Sequence, residues 1–255
     1  MNESPDDQKK VQQLNLGQVA QNFMDGLQRH ADMLAFNLAS REAVEEPAYK
    51  RRSSAPRMMP SGNRHQNFEQ MQAYARDLMV RQVINDSLGL TVSALNNSHF
   101  FFALLKESNA AEKVAAAARK RAESRHNDFL KIPLVDKFKF LENEYSLKTG
   151  YEDSMLSLII ALKALVENGG ILKAEYLGDQ PSLQIIIKRL QVGERNSESG
   201  KPVARVVDEK KEFRSGEAIV FSDTEVQRIL VTVASFADTL FKSVANYARQ
   251  IKGEV

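Results

Sequence analysis

The sequence predicts an all-α fold: an antiparallel up-and-down helical bundle with a small β or irregular insertion before the last helix. Three observations predict it. Apolar residues recur at helical spacing over most of the chain. That spacing fails between residues 172 and 222, where β-branched and aromatic runs take over. A helical pattern then returns behind a Ser-Asp-Thr-Glu start and runs nearly to the C-terminus.

Residues 1–13 are polar. From 16 to 39, Val19, Phe23, Leu27, Met33, Leu34 and Leu38 form the stripe of an amphipathic helix. Residues 42–66 change character, with Pro47, Pro56, Pro60, several serines, Gly62 and the cations Lys50, Arg51, Arg52, Arg57 and Arg64. Such a stretch offers too little apolar surface to offset the ordering of its backbone, so a flexible basic linker is expected. The chain therefore divides into an N-terminal helical segment (1–41), a linker (42–66) and a bundle domain (67–255).

Within 68–107, Phe68, Met71, Ala75, Leu78, Val83, Leu88, Val92, Leu95, Phe102 and Leu105 keep helical spacing, interrupted only at Gly89. A charged, Ala-rich helix is expected at 110–125. Pro133 suits a first helical turn and opens a short helix, 134–144, with Leu134, Phe138 and Leu141 on one side. Gly150 separates it from a strongly apolar helix at 152–167. The runs 183–192, 203–207 and 218–221 have strand composition, with NSESGKP as the turn between the first two. Ser222 and Glu225 stand at capping-box spacing. They open a last helix that runs to about residue 251 and turns Val226, Ile229, Leu230, Val233, Phe236, Ala237, Leu240 and Val244 inward.

At 255 residues the chain is long enough to bury its own core. A net charge of +2 is too small to demand nucleic acid as a partner, so any basic surface must be local. The absence of cysteine removes disulfides, thiolate nucleophiles and Cys-based metal sites. The polar N-terminus lacks the apolar core of a signal peptide. The longest apolar run, 155–166, is broken by Ser157 and Lys163 and is too short to span a bilayer. A cytoplasmic protein without membrane contact is expected. No cofactor and no metal are expected either: there is no phosphate-binding glycine loop, and His30 and His65 lack partners at metal-site spacing.

Residues 158–177 read LIIALKALVENGGILKAEYL, a helix running into an Asn-Gly-Gly stop. Together with the long first helix, the short IPLVDKFKFLE helix and the closing helix behind GEAIVFSDTEV, this order resembles the HEPN superfamily over roughly residues 68–251. That family of helical bundles occurs in toxin–antitoxin, phage-defence and RNA-processing systems. Its active members carry Arg-Asn, three variable residues and His just before such a stop. Counting back from Asn168 puts Glu167 at the His, Leu162 at the Arg and Lys163 at the Asn. In the family the His does acid–base work on a ribose hydroxyl, and the Arg steadies charge on the phosphate. Such work needs a group titrating near neutrality and a fixed cation. Leu162 supplies neither, and an ionised Glu167 would repel a phosphate. The resemblance therefore implies a degenerate motif and no catalytic residue at these positions. Without any family, Lys163 and Glu167 form an exposed i,i+4 pair worth roughly 0.2–0.5 kcal/mol, Gly169 or Gly170 ends the helix, and Ile171 folds back on it.

A literal Arg-x4-His occurs elsewhere, at Arg121 and His126. A solvated helix C-terminus explains it, because cations are favourable there. It is the alternative catalytic pair. His99, beside three phenylalanines, has the surroundings of a hydrogen-bonded core histidine. The basic residues Lys50, Arg51, Arg52, Arg57 and Arg64 are the candidate nucleic-acid contacts, which would be salt-sensitive and sequence-blind.

The function expected is that of a non-catalytic HEPN-like protein acting as an interaction or regulatory subunit, in a phage-defence or toxin–antitoxin setting. The resemblance implies a homodimer, or a protein partner, with RNA as a further candidate partner. Two alternatives stand beside it: a metal-independent HEPN-type ribonuclease using a non-standard residue set, and a protein that grips the nucleic-acid backbone.

Overall fold

The computed structural model describes residues 15–53, 67–110, 115–195 and 202–253. They form α1 (Leu16–Ala43), α2 (Glu46–Ser53), α3 (Phe68–Ala110), α4 (Ala115–Leu130), α5 (Leu134–Tyr145), α6 (Glu152–Glu167), a 3-10 turn (Ala174–Tyr176), β1 (Leu183–Arg195), β2 (Pro202–Phe213) and α7 (Asp223–Lys252). The fold is a helical bundle with one two-stranded antiparallel sheet inserted before the last helix, as the periodicities predict.

The centre of the bundle is α3, which at 43 residues spans about 65 Å. It continues through Gly89, where open space surrounds the backbone. Its Val83, Ile84, Leu95 and Phe102 meet Val226, Ile229, Val233, Phe236 and Leu240 of α7, and Leu158 and Ala161 of α6, in one core cluster. Each large side chain buried in this way contributes about 1.5–3 kcal/mol. The ends of the helices are locally specified. Asn15 caps α1 by accepting from the backbone N–H groups of Gly17 and Gln18. Ser222 and Glu225 close the anticipated capping box of α7.

Three expectations need correction. The N-terminal helix is part of the bundle, because Phe23, Leu27 and Leu34 of α1 are buried in the common core. Gly26 lets α1 come close to α3: a Cβ there would lie 3.0 Å from Leu90 Cδ2. The first part of the stretch expected to be a flexible linker carries α2 over Glu46–Ser53, and its remainder, 54–66, lies outside the described residues. Pro47 falls in the first turn, where its missing N–H costs no intrahelical bond, and Lys50 reaches Glu46 at 2.9 Å. Tyr49 also packs at a tilt against Phe68 at the start of α3, 5.6 Å between centroids. Finally, residues 218–221 are no strand but make one isolated bridge, Ile171 to Ala218. The strand character continues instead along β2, through Asp208, Glu209, Lys210 and Lys211. Its charges have partners there: Asp208 takes Lys188 across the sheet, Glu209 takes Arg228 and Lys211 takes Glu225.

Two helices, Phe68–Glu107 and Asp223–Ile251, are long and apolar enough to cross a membrane by length and composition. In these windows 44% and 50% of the residues are buried inside the bundle, so the core already accounts for much of their apolar character.

Candidate functional site

At the Asn-Gly-Gly stop, α6 ends because the backbone turns left-handed twice, with φ +60 at Gly169 and +90 at Gly170. The N–H groups of Asn168 and Gly170 both donate to Ala164 O, at 3.1 and 3.0 Å. Gly170 O accepts from Ile219 N at 2.8 Å, which ties the stop to the segment leading into α7. The residue that folds under is Leu172, fully buried, whereas Ile171 stays 42% exposed. The sequence placed the stop correctly and chose the wrong hydrophobic residue to seal it.

Leu162, Lys163 and Glu167, the positions where the resemblance led us to expect a degenerate motif, lie on this end of α6. Leu162 is half-buried and packs against the core. Lys163 and Glu167 do not join in the expected i,i+4 pair; both turn to Tyr176. The Lys163 ammonium lies 4.6 Å from the centre of the tyrosine ring. The Tyr176 hydroxyl donates to Glu167 Oε2 at 2.7 Å and accepts from Asn168 Nδ2 at 2.6 Å. Donation to a carboxylate favours the protonated phenol, so Glu167 raises the Tyr176 pKa above its ordinary value. What stands here is a tyrosine clasp on a helix end, with the aliphatic Leu162 packed on the core beside it. Tyr176 was present in the sequence, but its role depends on the turn that carries it back over α6.

The Arg121–His126 pair lies on α4, against α3. Arg121 Nε and Arg125 Nε grip the two oxygens of Glu107, at 2.5 and 3.1 Å, and the Glu107 side chain is only 8% exposed. The Arg121 hydrogen bond leads the effects that hold the Glu107 carboxyl below the usual range. His126 meets His99, with Nδ1 to Nδ1 at 3.4 Å. The fully buried His99 ring lies flat on Phe129, 4.1 Å between centroids and 3° from parallel. Burial pushes His99 down to about 3, helped by His126, Lys137 and Arg125. His126 is lowered by burial and then by Lys137. Lys137, itself buried and lowered by that burial, donates to Phe129 O. At neutral pH both imidazoles are therefore uncharged, one Nδ1–H donating to the other Nδ1, and His99 Nε2 has no partner. The arrangement fastens α4 to α3 and keeps both guanidiniums on a carboxylate of the same protein. His99 is thus a buried histidine with a single imidazole partner.

Of the candidate nucleic-acid contacts, Lys50, Arg51 and Arg52 are exposed on α2. Arg57 and Arg64 lie outside the described residues. Among the described residues no three His, Cys, Asp or Glu side chains are grouped to hold a metal ion.

The chain matches no family model, no curated protein and no solved structure.

Proposed function

We propose that this chain is a non-catalytic, HEPN-like helical protein that acts in the cytoplasm as an interaction or regulatory subunit, in a phage-defence or toxin–antitoxin setting. One observation carries the reading. Where a HEPN ribonuclease would present a cation and an imidazole, Leu162 packs on the core and Glu167 accepts a hydrogen bond from Tyr176. An aliphatic side chain cannot steady phosphate charge, and a carboxylate at that point repels it. Mixed RNA incubated with the purified chain, with and without EDTA, is expected to stay intact. Cleavage that persists in EDTA and is lost in a Glu167→Gln variant would overturn the reading. Light scattering of the same preparation tests the homodimer that goes with it.

A second reading, a metal-independent ribonuclease, is favoured by the His99–His126 contact beside Arg121 and Arg125. Neutral imidazoles can take up a proton. Cleavage lost in both His126→Ala and Arg121→Ala, in variants that keep their helical circular dichroism, would establish it in place of the first.

A further inference from the structure

We propose that the groove between α1, α2 and α3 is the docking site for an amphipathic helix of a partner protein. The apolar face of that helix lies on methionines of the groove, and an Asp or Glu near one of its ends meets Arg41 and Arg76. The groove holds about 590 Å³. Along α3 its lining residues recur at helical spacing from Phe68 through Met71, Ala75 and Met79 to Gln82, a stripe about 21 Å long. Met33 on α1 and Val44 just past its end mark the facing wall, and Tyr49 of α2 closes one side. Two helical walls, about four turns along α3 and about three along α1, make the shape into which a helix packs ridge into groove. Three of the described lining residues are methionines, whose unbranched side chains adapt to a foreign surface.

Charge identifies the occupant. Among the described residues, every charged side chain of the lining is an arginine, Arg41 or Arg76. Both reach a single carboxylate, Asp223, at 2.6 and 3.1 Å, and Arg76 also donates to Phe221 O. The Arg41 hydrogen bond leads in keeping Asp223 ionised. Two guanidiniums on one carboxylate leave one positive charge over, and the N-terminus of α7, where Asp223 sits, adds the positive end of a helix dipole. All three side chains are partly open to solvent, at 28%, 22% and 35% exposure. Glu46 on the α2 rim is matched by Lys50, and Glu42, Glu45 and Glu69 lie outside the lining. A second carboxylate, brought by the occupant, completes the set.

The inference takes from the interaction-subunit reading only that a partner exists. Its test uses the full chain labelled with carbon-13 at the methionine methyls. The probe is a synthetic helical peptide of about 14 residues, with leucines at three- and four-residue spacing and a glutamate at one end. Its control carries lysine in place of the glutamate. Saturable shifts are expected at Met33, Met71 and Met79, with the core Met155 unmoved. The lysine peptide should bind about tenfold more weakly, as for one lost charge-assisted contact. Arg76→Gln should narrow that ratio. Ala75→Trp, at an exposed position on the groove, should abolish the shifts with the melting temperature unchanged. Absence of a saturable shift would mean that the chain itself fills the groove or that nothing does, and either overturns the inference. Equal affinity for both peptides, or shifts that follow protein concentration alone because a second copy binds, would overturn it too. Peptide binding by a chain that also cuts RNA would sink the non-catalytic reading and leave the groove standing.

Discussion

Replacing His99 by phenylalanine should change the acid sensitivity of the fold in a defined pH window. His99 is lowered from 6.5 to about 3 in the folded protein. Because the folded pKa is the depressed one, the unfolded chain takes up the proton first as pH falls. The stabilisation is therefore complete above about pH 6.5 and shrinks by about 1.4 kcal/mol per pH unit until the folded pKa is reached. An isolated site would lose about 2 kcal/mol between pH 8 and pH 5. The half-exposed His126 and the solvent-facing Arg125 lie close by, so screening brings the expected loss to about 1–2 kcal/mol. Phenylalanine keeps the stack on Phe129 and removes both the titration and the unpartnered Nε2. It also leaves His126 Nδ1 without its partner, at about 1 kcal/mol. His99→Phe should thus be slightly less stable than the parent at pH 8 and overtake it by pH 5. The depressed carboxyls Glu107, Asp223 and Glu225 give up their stabilisation as pH falls through the ordinary carboxylate range towards their lower folded values, almost wholly below this window. Urea unfolding followed by circular dichroism at pH 8, 7, 6 and 5 measures the crossing. A variant whose midpoint falls as steeply as that of the parent would refute the assignment of a buried neutral histidine.

Gly170→Ala places a side chain at φ +90 and should cost about 1–2 kcal/mol, read as a lower melting temperature, whereas Gly89→Ala, in open space within α3, should raise it. Glu167→Gln removes the charge that holds the Tyr176 phenol protonated, so that phenol should ionise at lower pH in a carbon-13 NMR titration; an unmoved midpoint would show that the clasp does not form. Neutralising Lys50, Arg51 and Arg52 together should leave RNA affinity and its salt dependence unchanged if the chain is a protein-interaction module. A salt slope reduced by about 0.7–0.9 for each removed charge would instead favour a grip on the phosphate backbone.

The parts of the fold legible in the sequence are those fixed by short-range rules. The α7 start follows from Ser222 and Glu225, three residues apart. The α6 stop follows from adjacent glycines that can adopt positive φ, and the paired strands from two β-branched runs, whose expected NSESGKP turn lies outside the described residues except for Pro202. Composition misled at α2. Prolines and cations suggest an unstructured stretch, but Pro47 in a first turn and a Glu46–Lys50 pair are compatible with a helix, and Tyr49 against Phe68 gives it something to pack on. The charged run of β2 was hidden for a related reason. Alternation of apolar and polar residues marks a strand whose exposed face meets water, whereas Glu209 and Lys211 answer to Arg228 and Glu225 of α7.

The candidate sites were harder to foresee because their partners come from outside the element that carries each residue. Spacing along α6 makes Lys163 and Glu167 neighbours, yet an exposed i,i+4 pair is weak enough that any third group with better geometry displaces it. Tyr176, returning over the helix end, offers the cation a ring face and the carboxylate a hydroxyl donor at once. Arg41 and Arg76 converge on Asp223 across 182 and 147 residues of chain, a distance over which periodicity carries no information. Met33, Met71 and Met79 each fit an ordinary core stripe, and only the packing of α1 against α3 shows that they line an open groove. The most informative chemistry of this protein therefore sits where two elements with individually plain sequences meet. A variant that alters one wall, such as Ala75→Trp, tests that chemistry more directly than a change at Lys163 or Glu167, because Tyr176 already engages both of those side chains.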